Sequence, residues 1–209
     1  MCVGKCTRIL GPCLLVLGTL SIAVNFFLLF PNWSWKYLQE GHITKQAMQA
    51  PGIWGGGMIV LLAATHITAV GWRCGCFSDC GTWRNLFLSI ILSGLALLGS
   101  AACFIMAGLG LTNGPLCLFN DSTHNQVGIQ HWNYPFSDTS SQDFISRADN
   151  YLFNQSLWTS VCIEPPGIVP WNISLFSLLM IISTVEMVLA SLQIINGFFG
   201  CLCGFCEGK

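Results

Sequence analysis

The sequence predicts an all-α integral membrane protein: a four-transmembrane-helix bundle with a disulfide-closed second extracellular loop and both termini cytoplasmic. Three observations lead there. Four long segments are almost free of charge, the charged residues gather between them, and only two of the twelve cysteines fall in the segments assigned to the outside. Crossing a hydrocarbon core of roughly 30 Å takes about 20 apolar helical residues at about 1.5 Å each. Hydrophobic residues make up 53% of the chain and charged residues 8%, too few charges for an ordinary soluble domain.

The predicted spans are residues 9–30, 51–72 (with apolar character beginning near Gln46), 85–111 and 171–200 of a single membrane domain, 1–209. The first exceeds the apolar core of a signal peptide and has no small-x-small site after it, so it reads as an uncleaved signal-anchor helix. A small outer loop, 31–50, an inner loop, 73–84, and a large outer loop, 112–170, connect the spans. Orientation follows from basic residues, which favour the cytoplasmic side. Lys5, Arg8, Arg73, Arg84 and Lys209 fall in short inner segments, whereas Lys36, Lys45 and Arg147 are diluted over longer outer ones. Glu40, Asp121, Asp138, Asp143, Asp149 and Glu164 are all outside. Trp33, Trp35, Trp54, Trp72, Trp83 and Trp171 lie near span ends, where indole prefers the headgroup interface. Terminal tails of a few residues leave no room for a signalling or catalytic domain, and no internal repeat or pair of broken helices suggests a transporter.

Cysteines sort by compartment. Cys117 and Cys162 stand in the large outer loop, where oxidation is permitted, and should pair, restricting the unfolded chain by roughly 4 kcal/mol on the loop-entropy model; two free thiols is the alternative. Cys2, Cys6, Cys74, Cys76, Cys80, Cys201, Cys203 and Cys206 cluster at the inner face, where S-palmitoylation is favoured over zinc or free thiols. Their spacing does not fit a paired zinc ribbon and no nearby His completes a set, so no metal is expected. Cys13 and Cys103 read as small packing residues. Of the Asn-x-Ser/Thr sequons, Asn120 and Asn154 are the expected glycosylation sites. Asn32 and Asn172 sit too near the bilayer. Asn154 has a second reading as the cap of a short helix with an apolar stripe of Leu157, Trp158 and Val161.

Within the bilayer, Glu186 costs roughly 3 kcal/mol on insertion scales and needs a partner, a proton or a function. Gln193 shares its helix face, Asn196 is offset to one flank, and Asn25 and His66 are candidate partners from other spans. A protonated Glu186 donating one packing hydrogen bond is favoured over a polar pocket for a sterol-like lipid, proton or solute. Gly52 with Gly56, inside the Gly55-Gly56-Gly57 run, and Gly200 with Gly204 are small-xxx-small packing devices.

Several motifs in order carry a resemblance. They are Met1-Cys2-Val3-Gly4-Lys5-Cys6, Asn25 before Phe30-Pro31-Asn32, Gly55-Gly56-Gly57, Gly114-Pro115-Leu116-Cys117 and Trp132-Asn133-Tyr134-Pro135-Phe136. Leu157-Trp158 before Cys162, Glu164-Pro165, Pro170-Trp171-Asn172 to Ser177, Glu186, and Gln193 to Gly197 leading into Cys203-Gly204-Phe205-Cys206 complete the set. Together they cover essentially the whole chain and resemble the transmembrane 4 L-six family of tetraspanin-like proteins; Gly71-Trp72-Arg73 with Cys76-Phe77-Ser78 narrows the likeness within it. True tetraspanins usually have a Cys-Cys-Gly motif and at least four cysteines in the large loop, and claudins put the large loop first. The chain matches neither. Its Cys74-Gly75-Cys76 and separated Cys80 also depart from the adjacent cysteines of many L-six proteins.

The resemblance implies a non-enzymatic membrane organiser or adaptor in the plasma membrane or endolysosomal membrane. Its partners would be membrane lipids and other integral membrane proteins (integrins, receptors or tetraspanin-like proteins), with homo-oligomers a further option. Trp132, Tyr134, Phe136 and Trp158 are assigned to loop core or partner contact, core being favoured. The competing class is a lipid or sterol sensor, or a small-solute transporter, lined by Glu186, Gln193 and Asn25. An enzyme is least favoured: His42, His66, His124 and His131 have no metal spacing, and no nucleophile–base pair or phosphate loop appears. No catalytic residue or cofactor is expected, and no basic patch suggests nucleic acid.

Overall fold

The structure is a computed structural model that describes residues 3–73, 83–121, 129–136, 151–152 and 155–207, of which 3–6, 73, 83–84, 121, 129 and 200–207 are described as backbone only. Its elements in chain order are α1 (Val3–Leu29), a 3-10 turn (Pro31–Trp33), α2 (Lys36–Gln39), α3 (Lys45–Met48), α4 (Pro51–Ile53), a π-helical segment (Trp54–Ile59) and α5 (Val60–Arg73). Then come α6 (Trp83–Asn113), β1 (Cys117–Asp121), β2 (Ile129–Asn133), α7 (Leu157–Ser160) and α8 (Ile168–Glu207). Among the described residues, four stretches are long and apolar enough to cross a membrane: Thr7–Leu29, Lys45–Trp72, Asn85–Asn113 and Ile168–Phe199.

The helices differ from the predicted spans mainly at their ends. α8 starts at Ile168 instead of residue 171, because Pro170 falls in the first turn, where a missing N–H breaks no hydrogen bond. Pro51 opens α4 in the same way, and Ala50 before it is left-handed at φ 47°, which separates α3 from the second span. The second span then passes through the π segment at Gly55, Gly56 and Gly57 instead of running as a regular helix.

The chain divides into two compact units. The first comprises Met1–Ala23, Pro51–Phe104 and Leu179–Lys209, and the second Val24–Ala50 and Ile105–Leu178. In the first, Leu14, Val60, Ala63, Ala64, Ile67, Ala96 and Ala190 form a buried cluster flanked by Leu15, Leu92, Leu97 and Leu189. Small side chains dominate because helix association in lipid has no hydrophobic drive and depends on close approach. Gly55 and Gly99 set the limit: a Cβ on either would lie 2.7 Å from the other's carbonyl oxygen.

In the second unit, β1 and β2 pair antiparallel, with Cys117 opposite Asn133 and Asp121 opposite Ile129. The segment leading to α8 joins the other edge of β1: Leu118 N–H donates to Glu164 O, and Ile163 N–H to Leu118 O, both at 2.9 Å. A disulfide joins Cys117 to Cys162, with Cα atoms 5.6 Å apart. Around it, Tyr151, Ile168 and Val169 form a buried cluster against Phe136, Leu157, Trp158 and Trp171.

Candidate functional site

The second unit concentrates the chemistry that faces out of the spans, and both connecting loops on the disulfide side build it. His42, from the short loop, stacks on Trp132 of β2 with ring centroids 3.9 Å apart and planes within 3°. His42 Nδ1 also lies 3.2 Å from Glu40 Oε2, and Tyr37 approaches the same indole at 6.3 Å. The Lys45 N–H donates to Tyr134 Oη at 3.0 Å, tying the start of α3 to the residue that follows β2. Two further bonds join the membrane ends: Asn32 Nδ2 donates to Pro166 O at 2.8 Å, and Trp171 Nε1 to Phe27 O at 3.2 Å.

The four loop aromatics separate into two roles. Phe136 stacks on Tyr151 at 4.3 Å and fills the space beside Gly114, whose φ of 71° only glycine adopts readily. Trp158 Nε1 donates to Tyr151 O at 2.7 Å. Both therefore belong to the disulfide core. Trp132 and Tyr134 instead hold the short loop to the long one. The Tyr151 hydroxyl donates to Leu111 O at the end of α6, and burial pushes its phenol up to about 12.

Among the sequons, Asn120 is exposed on β1 opposite Gln130. Asn172 is buried, and Asn32 is engaged with Pro166. Asn154 lies outside the described residues, and the cap position of α7 belongs to Ser156. Cys2, Cys74, Cys76 and Cys80 also lie outside the described residues, and for Cys6, Cys201, Cys203 and Cys206 only the helical backbone is described. No group of three metal-binding side chains occurs among the described residues.

Within the first unit, Glu186, Gln193 and Asn196 have different neighbours. Glu186 is fully buried in the first unit, and neither carboxylate oxygen has a hydrogen-bond partner among the described residues. Its surroundings are visible from Gly56: a Cβ there would lie 2.5 Å from Ser21 Oγ, 3.2 Å from Glu186 Oε2 and 3.3 Å from Cys103 Sγ. Ser21 Oγ donates to Gly52 O at 3.1 Å. Gln193 turns to Ser89, its Nε2 donating to Oγ at 3.3 Å, and Asn196 Nδ2 donates to Thr7 Oγ1 at 2.9 Å. His66 Nδ1 is buried without a hydrogen bond among the described residues, and Asn25 is buried in the second unit. Spacing along one helix placed Glu186 and Gln193 on one face, but could not show that Ser21, Gly56 and Cys103 from three other segments surround the carboxyl.

Residues 1–207 match the family described as L6 membrane protein. The chain is 42% identical to human transmembrane 4 L6 family member 19 over 97% of its own length and 93% of that protein. It is 40% identical to human member 1, covering 99% and 96%, and 36% identical to human member 5, covering 100% and 98%. No solved structure matches. With four membrane-crossing segments and a match along nearly its whole length, the chain belongs to the L6 membrane protein family and is a multi-pass membrane protein.

Proposed function

We propose that this chain is a non-enzymatic organiser that associates laterally with other integral membrane proteins, and that the two-loop unit on its disulfide side is the face they meet. The observation carrying this reading is the joint between the loops, where His42 stacks on Trp132 and Lys45 bonds to Tyr134. Such a joint gives a small unit one fixed surface, and preorganised surfaces bind at lower entropic cost. In this reading that side is extracellular or lumenal, in the plasma membrane or endolysosomal membrane. Exposed Asn120 carries a glycan, Asn154 is a second acceptor, and the inner-face cysteines are acylated. Integrins, receptors and related four-span proteins are the partner classes, with effects on adhesion, motility, growth or fusion.

A lipid sensor or solute carrier centred on Glu186 has one observation in its favour, the two buried oxygens without a hydrogen-bond partner among the described residues. Against it, Gly56 packs so closely that even a methyl group would crowd Ser21, Glu186 and Cys103. The experiment is purification in mild detergent with mass spectrometry of bound proteins and lipids. The His42→Ala, Tyr134→Phe pair should lose protein partners that the wild type and Glu186→Gln both retain. A stoichiometric lipid or solute, lost on Glu186→Gln and accompanied by no protein partner, would overturn the organiser reading.

A further inference from the structure

Between α1 and α2 the backbone does something costly. Asn32 has φ 53° and ψ 28°, and Trp33 follows at φ 59°. Two consecutive residues with side chains in the left-handed region are uncommon, and a bulky aromatic there is an outlier that its surroundings must hold in place. The restraint is visible. Asn32 Nδ2 donates to Pro166 O at 2.8 Å across 134 residues, while Trp33 N–H and Ser34 N–H close onto Phe30 O and Pro31 O at 3.1 Å.

The turn directs indoles outward. Trp33 is 71% exposed and Trp35 59%. They are nevertheless not isolated, because Phe27 meets Trp33 edge-on at 5.2 Å, Phe30 stacks with Trp35 at 5.8 Å, and Phe26 lies 4.7 Å from Phe30. Phe26, half exposed, belongs to the apolar span Thr7–Leu29. The row Phe26–Phe30–Trp35 thus climbs from the exposed, lipid-facing part of a membrane helix into the loop, and the pair Phe27–Trp33 ties the second indole to the same helix. From Val24 to Gln39 the only charged residue is Lys36, a suitable neighbour for lipid phosphate. That continuity with the lipid-facing surface and the preference of indole for the interface select the occupant: the headgroup layer of the bilayer.

We propose that Asn32 is a positioning residue whose amide clamps this strained turn to Pro166, so that Trp33 and Trp35 form an aromatic foot seated among lipid headgroups on the disulfide side. Without the amide, an alanine at φ 53° has no partner to offset its backbone strain, and the turn should relax. Asn32 also opens the sequon Asn32-Trp33-Ser34, and its acceptor nitrogen is the one bonded to Pro166, so the clamp competes with glycan attachment. The proposal does not depend on the organiser reading.

The test uses the full chain in lipid nanodiscs and the difference in tryptophan emission between the wild type and Trp33→Phe, then Trp35→Phe. Phosphatidylcholine brominated near the headgroup should quench these differences about twofold or more relative to lipid brominated near the bilayer centre or to aqueous iodide. In Asn32→Ala the Trp33 signal should become iodide-accessible, while Ser34→Ala, which abolishes only the sequon, should behave as wild type. A peptide map showing the Cys117–Cys162 disulfide intact in each variant establishes that the fold survives. Iodide quenching of the wild-type signal, an Asn32→Ala signal unchanged from wild type, or a glycan found on Asn32 would overturn the proposal. So would protection from both quenchers that disappears with one chain per disc, which would instead assign the indoles to a contact between copies.

Discussion

Tyr151 shows how one residue reports on the closed loop. Its ring stacks on Phe136, its carbonyl accepts from Trp158 Nε1, and its hydroxyl donates to Leu111 O. Burial penalises the phenolate and raises the phenol from 10.0 to about 12. The unfolded chain therefore loses this proton at lower pH than the folded one. The stabilising contribution is complete below pH 10 and declines as pH rises from 10 towards 12. Thermal unfolding in detergent should show this alkaline loss in the wild type and a shallower one in Tyr151→Phe, measured against the absorbance change of tyrosinate. Equal slopes would mean that Tyr151 titrates as an exposed tyrosine. Compartment logic made the Cys117–Cys162 pair legible in the sequence, and the insertion cost of a charge singled out Glu186. The stack of His42 on Trp132 and the bond from Asn32 to Pro166 were not legible, because contacts between residues so far apart in the chain leave no local periodicity.

At the scale of elements, hydropathy gave the four spans because each must satisfy its backbone within itself to cross lipid. It could not reveal the π segment, since a shift to the wider hydrogen-bond pattern leaves the apolar content unchanged. The glycine run was visible, but its use depends on Gly99 of α6, which lies in mutual backbone contact with Gly55. A Cβ on Gly99 would meet Gly55 O at 2.7 Å, and a carbonyl in a helix cannot rotate away as a side chain can. Gly99→Ala should therefore destabilise the protein by about 1–3 kcal/mol as α6 is pushed from the π segment. Gly94, on the same helix, has no atom of another described segment within 4 Å of its Cβ position. Gly94→Ala should be neutral or slightly stabilising, by up to about 1 kcal/mol, through reduced freedom of the unfolded chain. Scanning fluorimetry of both variants in one detergent separates crowding from a general intolerance of alanine in α6. Equal melting temperatures would refute the backbone contact.

For the whole molecule, the consequence lies in where the covalent restraint acts. Each unit has its own buried cluster, one built on Leu14, Val60, Ile67 and Ala190, the other on Cys117, Tyr151, Ile168 and Val169. Only the second contains a disulfide among the described residues, and it closes a sequence separation of 45 residues. On the loop-entropy model such a closure is worth roughly 4 kcal/mol, a figure that native strain and residual unfolded structure usually lower. Replacing both cysteines by serine should therefore act regionally. Hydrogen exchange should accelerate about 30-fold or more at residues 117–121, 129–133 and 157–168, as expected for a loss of about 2 kcal/mol or more in local opening. Peptides from 60–72, 85–103 and 179–199 should exchange as in the wild type, because their small-residue helix packing contains none of the removed atoms. Faster exchange throughout would mean that helix packing in the first unit depends on the closed loop. Regional loss combined with unchanged helices would place the stability of the second unit in its own closed loop and buried cluster, and that of the first in the close approach of its small-residue helix faces.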